Sequence, residues 1–437
     1  MIQNNNITLK RTLGTWHVWG LAVGLVISGE YFGWNYGWAE AGTVGFMVST
    51  LIVTLMYACF MVSLTELAIR IPDAGGPTAY AKKAMGPLGE SIAGYATFIE
   101  FVFAPPAIAL AIGSYIHFLL PEVDIRHFAA FIYLVFTLVN LLGIRQSALF
   151  NLVITVFAVV ELIMFCGITL PHFEMANFMQ HQPAFSFPKV FAALPFAIWV
   201  YLGIEGISMV SEEVRVPAKS IPRGGLAGIL TLVILAIGVM LGAGGVGDWR
   251  TIANIDHPLP AAIGSVLGSS HLWTRLFAGL GIFGLIASFH SLIIGYSRQI
   301  FALSRLGILP VTFTRLSKKN QTPYAALLLG SVIGLICVYT GTTSFVITLS
   351  ALGAIVVYII CMLSLLKIRK QDSEKASYST PFYPFTPILA IVIALICLIA
   401  AMCYNPTVSI AFFGVLGFFL FLMQWKKKTT SSEKPPL

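Results

Sequence analysis

Apolar stretches of about twenty residues recur along almost the whole 437-residue chain, and that recurrence restricts it to a lipid environment. Hydrophobic residues make up 57% of the sequence and charged residues only 10%, too few to clothe a soluble fold of this size. Inside hydrocarbon every backbone N–H and C=O must be satisfied within the protein, so continuous runs of this kind become helices. Twelve runs are read as spans: Thr15–Gly37, Val44–Ile69, Ser91–Leu119, His127–Leu142, Leu149–Leu170, Val190–Val210, Gly225–Gly245, Trp273–Leu303, Tyr324–Tyr339, Ser344–Leu366, Phe385–Met402 and Val408–Trp425. Nothing between them is long enough for a soluble domain, so residues 1–437 form one all-α integral membrane domain. The first run lacks a small-residue cleavage site and is read as a span, not a removable signal.

The basic residues set the expected orientation, since loops on the cytoplasmic side of a membrane carry the excess of Lys and Arg. With twelve spans and both termini inside, 22 of the 26 Lys and Arg fall on the cytoplasmic side. Only Arg126, Lys189, Arg250 and Arg275 fall outside. This split accounts for the +8 net charge without a nucleic-acid partner. The expected location is the inner or plasma membrane, crossed many times. The six cysteines are scattered inside spans with no metal or redox spacing.

Two spans are interrupted, each where a glycine adjoins a glutamate. The first reads Leu25-Val26-Ile27-Ser28-Gly29-Glu30-Tyr31-Phe32-Gly33, the second Trp199-Val200-Tyr201-Leu202-Gly203-Ile204-Glu205-Gly206. Unwound backbone at membrane depth persists only where it lines a protein cavity or water. Paired interruptions in two halves of a chain point to a transporter's substrate site.

The acids left within or near spans are Glu30, Glu40, Glu66, Glu100, Glu161 and Glu205, with no Lys or Arg at comparable depth. Ionisable groups in a span are functional hypotheses, and an acid-rich interior favours cations or protons over anions. Glu40 and Glu66 lie near span ends and are expected to reach an interface. Glu100 precedes Pro105-Pro106, whose missing donors free backbone carbonyls. Glu30 and Glu205 either bind substrate or cap half-helices. Tyr31, Phe32, Trp34, Trp199 and Tyr201 flank these acids, and ring faces hold an ammonium for about 0.5–2 kcal/mol.

Four stretches resemble the amino acid–polyamine–organocation (APC) superfamily. They are Gly24-Leu25-Val26-Ile27-Ser28-Gly29; Tyr201-Leu202-Gly203-Ile204-Glu205 with Ser211-Glu212-Glu213-Val214, Pro217 and Ser220-Ile221-Pro222-Arg223-Gly224; Tyr296-Ser297-Arg298 through Ser304-Arg305-Leu306-Gly307-Ile308-Leu309-Pro310; and Pro72-Asp73-Ala74-Gly75-Gly76-Pro77-Thr78-Ala79-Tyr80. The resemblance implies a LeuT-like fold of 5+5 inverted repeats, about 15–170 and 190–366, with two helices appended at about 385–425. It also implies broken helices 1 and 6, with the loops after helices 2 and 6 as gating or structural elements. Amino-acid carriers of this type seat the substrate carboxylate on the helix 1 break, where Glu30 here would repel it. Within the superfamily, Ser28-Gly29-Glu30-Tyr31-Phe32-Gly33-Trp34-Asn35 resembles the ethanolamine permeases.

The expected function is therefore transport of a small organic cation, ethanolamine first, with an amino-acid or polyamine carrier as the alternative and a non-transporting sensor as a third. A sensor would carry an extended signalling tail, whereas twelve residues follow Trp425. No nucleophile motif, His cluster or cofactor loop points to an enzyme. The lysine that some proton-driven relatives carry in helix 5 aligns near Ala158 and is missing. Coupling is left to Ser288 and Ser291 as sodium ligands, or to Glu161 or His290 as proton carriers. An empty pocket holding Glu30 and Glu205 would keep a proton between them until an ammonium replaces it. Monomer and homo-oligomer are both compatible with the sequence.

Overall fold

The computed structural model of the protein describes residues 11–143, 148–317, 319–372 and 377–432. Lys10, Arg145, Lys318, Lys375 and Lys434, counted above among the inner basic residues, lie outside them. So do the side chains of Lys426, Lys427 and Lys428 and the 144–147 stretch used to align helix 5.

The chain is a bundle of α-helices. The first half holds α1 (Thr15–Val26), α2 (Ser28–Tyr31), α3 (Tyr36–Arg70), α4 (Pro77–Leu119), α5 (Ile125–Leu141), α6 (Ala148–Thr169) and the short α7 (Met175–Met179). Then come α8 (Phe187–Ala192), α9 (Leu194–Tyr201), α10 (Pro217–Gly245), α11 (Pro258–Leu267), α12 (Leu272–Arg305), α13 (Tyr324–Thr340), α14 (Thr343–Gln371), α15 (Phe385–Tyr404) and α16 (Pro406–Ser432). Among the described residues, eight helical stretches are long and apolar enough to cross a membrane: α3, α4, α6, the 194–213 stretch, α10, α12, α14 and α15. Shorter apolar helices stand at α1, α5, α11, α13 and the start of α16. The protein is a multi-pass membrane protein.

Kinks subdivide two of the long helices. α3 turns at Gly42 (φ 68°) and α4 at Gly86 (φ 72°), so residues 77–85 form a separate helix before the long apolar run. α4 is the axis of the bundle, packed along α14 and α12, while α1 lies against α10 and α6. Leu13 pairs with Val214 in an isolated bridge, which joins the approach to α1 to the end of the second interrupted span.

Arginines stand at both ends of the bundle. Arg126 Nη1 donates to Tyr339 O (2.9 Å) and Arg275 Nη2 to Leu119 O (3.0 Å), at the ends of α13 and α4. At the opposite face Glu66 ties α3 to α14: its carboxylate accepts from Arg70 Nε (2.8 Å), Arg369 Nε (2.7 Å) and Arg369 Nη2 (2.5 Å). Thr380 adds its N–H and hydroxyl, both at 2.7 Å, and the Arg369 guanidinium lies 3.9 Å from the centre of the Tyr383 ring. Glu66 thus closes that face as an ion-paired latch, whereas Glu40 is exposed.

Candidate functional site

The second interruption is where the sequence places it. Leu202 leaves helical geometry (ψ 134°), and Gly203 adopts φ +95°, a left-handed conformation that strains any side chain. The chain resumes as a 3₁₀ helix, Ile204–Glu213. The first interruption differs from expectation. Ile27 keeps helical angles (φ −56°, ψ −22°), and α2 follows without unwinding at Ser28-Gly29. The chain leaves the helix only at Phe32 (φ −164°) and Gly33 (φ +93°). Gly29 is needed for contact instead: a Cβ there would stand 2.6 Å from Trp199 O and 2.9 Å from Val200 O. The two interrupted spans touch backbone to backbone at that point.

Aromatic donors tie the spans together. Trp199 Nε1 donates to Phe32 O (3.0 Å), and the two rings meet edge to face at 5.5 Å. Trp34 Nε1 donates to Glu30 O (3.1 Å), and its ring meets Trp38 edge to face at 4.7 Å. Tyr31 Oη donates to Glu161 Oε2 (2.8 Å), and Tyr115 Oη to Tyr31 O (3.2 Å). Tyr201 Oη shares a hydrogen bond with Thr54 Oγ1 (2.8 Å).

The carboxyl groups fall into separate sets. Glu30 is wholly buried with neither carboxyl oxygen partnered. Glu205 has Glu100 of α4 as its acidic neighbour; both are wholly buried, and Glu100 Oε1 and Oε2 and Glu205 Oε1 make no well-aligned hydrogen bond. Tyr358 Oη stands 3.3 Å from Glu205 Oε2, and Tyr57 Oη donates to Tyr358 Oη (2.9 Å) and contacts Ile198 O (3.1 Å). Ser350 Oγ donates to Glu100 O (2.7 Å), which pins that turn of α4 to α14. Two carboxylates in contact cannot both stay ionised in an apolar interior, so the pair shares a proton or takes up a cation. Tyr57 and Tyr358 were missed in the sequence, although tyrosines in mid-span, away from the interfacial belt, are the signal that would have marked them.

The coupling candidates scatter. Ser288 Oγ donates to Leu25 O (2.7 Å) and lies 2.9 Å from Ser28 Oγ, which joins α12 to the first interrupted span. Ser291 bonds back to Ala287 O (2.9 Å), as a lone serine on a helix commonly does. His290 is buried with both ring nitrogens unpartnered and packs edge-on against Phe136 of α5. Glu161 keeps one free oxygen beside its bond to Tyr31.

At the face bearing Arg126 and Arg275 a second polar lock joins three elements. Tyr36 Oη donates to Asp256 Oδ1 (2.8 Å) and Thr343 Oγ1 to Oδ2 (2.7 Å), beside a cavity of about 420 Å³ that His117, Asp124 and Arg126 also line. Burial pushes the Asp256 carboxyl from 3.8 up to about 6, against the pull of the Thr343 and Tyr36 bonds. The folded protein therefore holds a proton that the unfolded chain releases. That stabilisation is complete below pH 3.8 and is lost as pH rises through about 6. The melting temperature of the wild type relative to Asp256→Asn should fall from pH 4 to pH 7; a constant difference would refute the assignment.

Comparison with known proteins converges on one family. The family model described as amino acid permease matches residues 13–425. An uncharacterized transporter of Rhizobium meliloti is 30% identical over 368 residues, 81% of this chain and 78% of that protein. The branched-chain amino acid permease BcaP of Bacillus subtilis is 24% identical over 73% of this chain and 72% of its own length. A methylthioribose transporter of the same organism is 26% identical over 74% and 73%. With membrane-length helices, an acid-lined junction of two interrupted spans and a family match along nearly its whole length, this non-enzymatic membrane chain belongs to the amino acid permease family of the APC superfamily.

Proposed function

We propose that the protein carries a small primary amine bearing a hydroxyl and no carboxylate, ethanolamine first among candidates, across the plasma membrane. The observation that supports this is the buried acid set: Glu30, Glu100 and Glu205 are wholly enclosed, and no Lys or Arg is buried among the described residues. An ammonium compensates such a site, whereas a carboxylate adds to its charge. Glu30, Ser28, Gly29, Tyr31, Phe32 and Trp199 form the first side of the proposed site, and Glu100, Tyr201 and Glu205 the second. Twelve crossings, 5+5 inverted repeats and cytoplasmic termini belong to the same reading. The alternating faces of basic residues support it.

A second reading, an amino-acid permease, is favoured by the family's description and by the branched-chain permease among the relatives. Uptake of labelled ethanolamine into proteoliposomes, challenged by serine or alanine, separates the two. Ethanolamine uptake that resists both competitors is the expected result. Competition as strong as that by unlabelled ethanolamine would select the amino-acid reading.

A further inference from the structure

A 3₁₀ helix turns once in three residues, so positions three apart stand over one another on one face. Within Ile204–Glu213, Glu205, Ser208 and Ser211 make such a column, and all three are buried. Glu205 Oε1, Ser208 Oγ and Ser211 Oγ have no hydrogen-bond partner in the protein. Thr78 Oγ1, from the start of α4, is equally buried and unpartnered, while the Tyr80 hydroxyl lies within reach of Ser208 without forming a well-aligned hydrogen bond to it. The column begins beside Glu100 and ends at Ser211, whose chain neighbour Glu212 is partly exposed and accepts from Ala74 N (3.1 Å).

An unsatisfied buried hydroxyl costs about 1–3 kcal/mol, so a whole row of them calls for occupants. At a rise of about 2 Å per residue, column members stand roughly 6 Å apart, too far to bond directly and suited to one bridging water each. A purely structural row would have bonded back to the helix, as Ser291 does.

We propose that this column is a proton path, joining the Glu100–Glu205 pair to the face of the bundle that carries Arg70 and Arg369. The proton leaves a carboxyl O–H of the pair for the adjoining water. Each water and each serine hydroxyl then accepts one proton and donates one, so every relay group ends unchanged. The last proton passes to water beside Glu212, and the pair is left with one more negative charge. The loop 72–76 and the first turn of α4, with Thr78 and Tyr80, form the wall of the path. The proposal rests on the chain being a transporter and not on which amine it carries.

Infrared difference spectroscopy on the full-length protein, reconstituted without substrate, tests it. A protonated-carboxyl C=O band is expected in the wild type, and the component assigned to the pair is the one missing in Glu205→Gln or, should that variant not fold, in Glu100→Gln. On transfer to D₂O the band shifts, and Ser208→Ala/Ser211→Ala should slow that shift roughly tenfold, the rate equivalent of one lost hydrogen-bonded link. Ser208→Thr/Ser211→Thr, which keeps both hydroxyls, should restore the wild-type rate, and Ser364→Ala, at a serine that bonds back to Ile360 O, should leave it unchanged. Exchange at the wild-type rate in the double alanine variant, or no carboxyl band at pH 7, would overturn the proposal. Neither result depends on ethanolamine being the substrate.

Discussion

Glu30→Gln is expected to lower ethanolamine uptake at subsaturating concentration by roughly thirtyfold or more. Removing one partner of a buried charge pair costs about 2–5 kcal/mol, and Glu30 is wholly enclosed with both oxygens free to meet an ammonium. If Glu30 only caps a short helix, the loss is about 0.3–1 kcal/mol and uptake falls less than tenfold. Glu66→Gln is the comparison, because Glu66 sits in a latch far along α3 from the interrupted spans. Per folded molecule, its effect on ethanolamine binding should be the smaller of the two. Equal losses would reduce Glu30 to a cap.

Stability is where Glu66 should matter most. Glu66→Ala removes the carboxylate that Arg70, Arg369 and Thr380 share, leaving a guanidinium half enclosed against Tyr383. Breaking a buried ion pair from one side costs about 3–5 kcal/mol, and the detergent-solubilised protein should unfold at a clearly lower temperature. Arg369→Lys, with Glu66 retained, should lose part of the same stability, because an ammonium cannot reproduce the two-pronged contact or the stacking on Tyr383. An unchanged unfolding midpoint in Glu66→Ala would mean that the latch is decoration.

Local chemistry was legible in the sequence, and long-range pairing was not. Both interruptions show as a glycine beside a glutamate, yet the two glycines do different work. Gly203 supplies a left-handed backbone angle, with only Leu25 O at ordinary contact distance (3.9 Å) from a Cβ there, whereas Gly29 keeps helical geometry and lets another backbone approach. A lone glycine letter carries either meaning. The acids were visible as misfits in apolar spans, but their partners lie far off along the chain. Glu100 and Glu205 are 105 positions apart, Tyr358 is 153 beyond Glu205, and Arg369 is 303 beyond Glu66. Periodicity within one helix carries no information about such meetings. Pseudo-symmetry suggested Glu30 as the companion of Glu205; contact of α4 with the 204–213 helix brings Glu100 beside it.

The tight winding of residues 204–213 has a mechanical consequence. Ten residues extend about 20 Å as a 3₁₀ helix and about 15 Å as an α-helix, so relaxation would shorten this half-span by about 5 Å. The same change would rotate Ser208 and Ser211 off the line of Glu205, because positions three apart stop eclipsing at 3.6 residues per turn. On the proposed path, stroke and conductance would be two readings of a single coordinate, with the column conducting only while the 3₁₀ winding is kept.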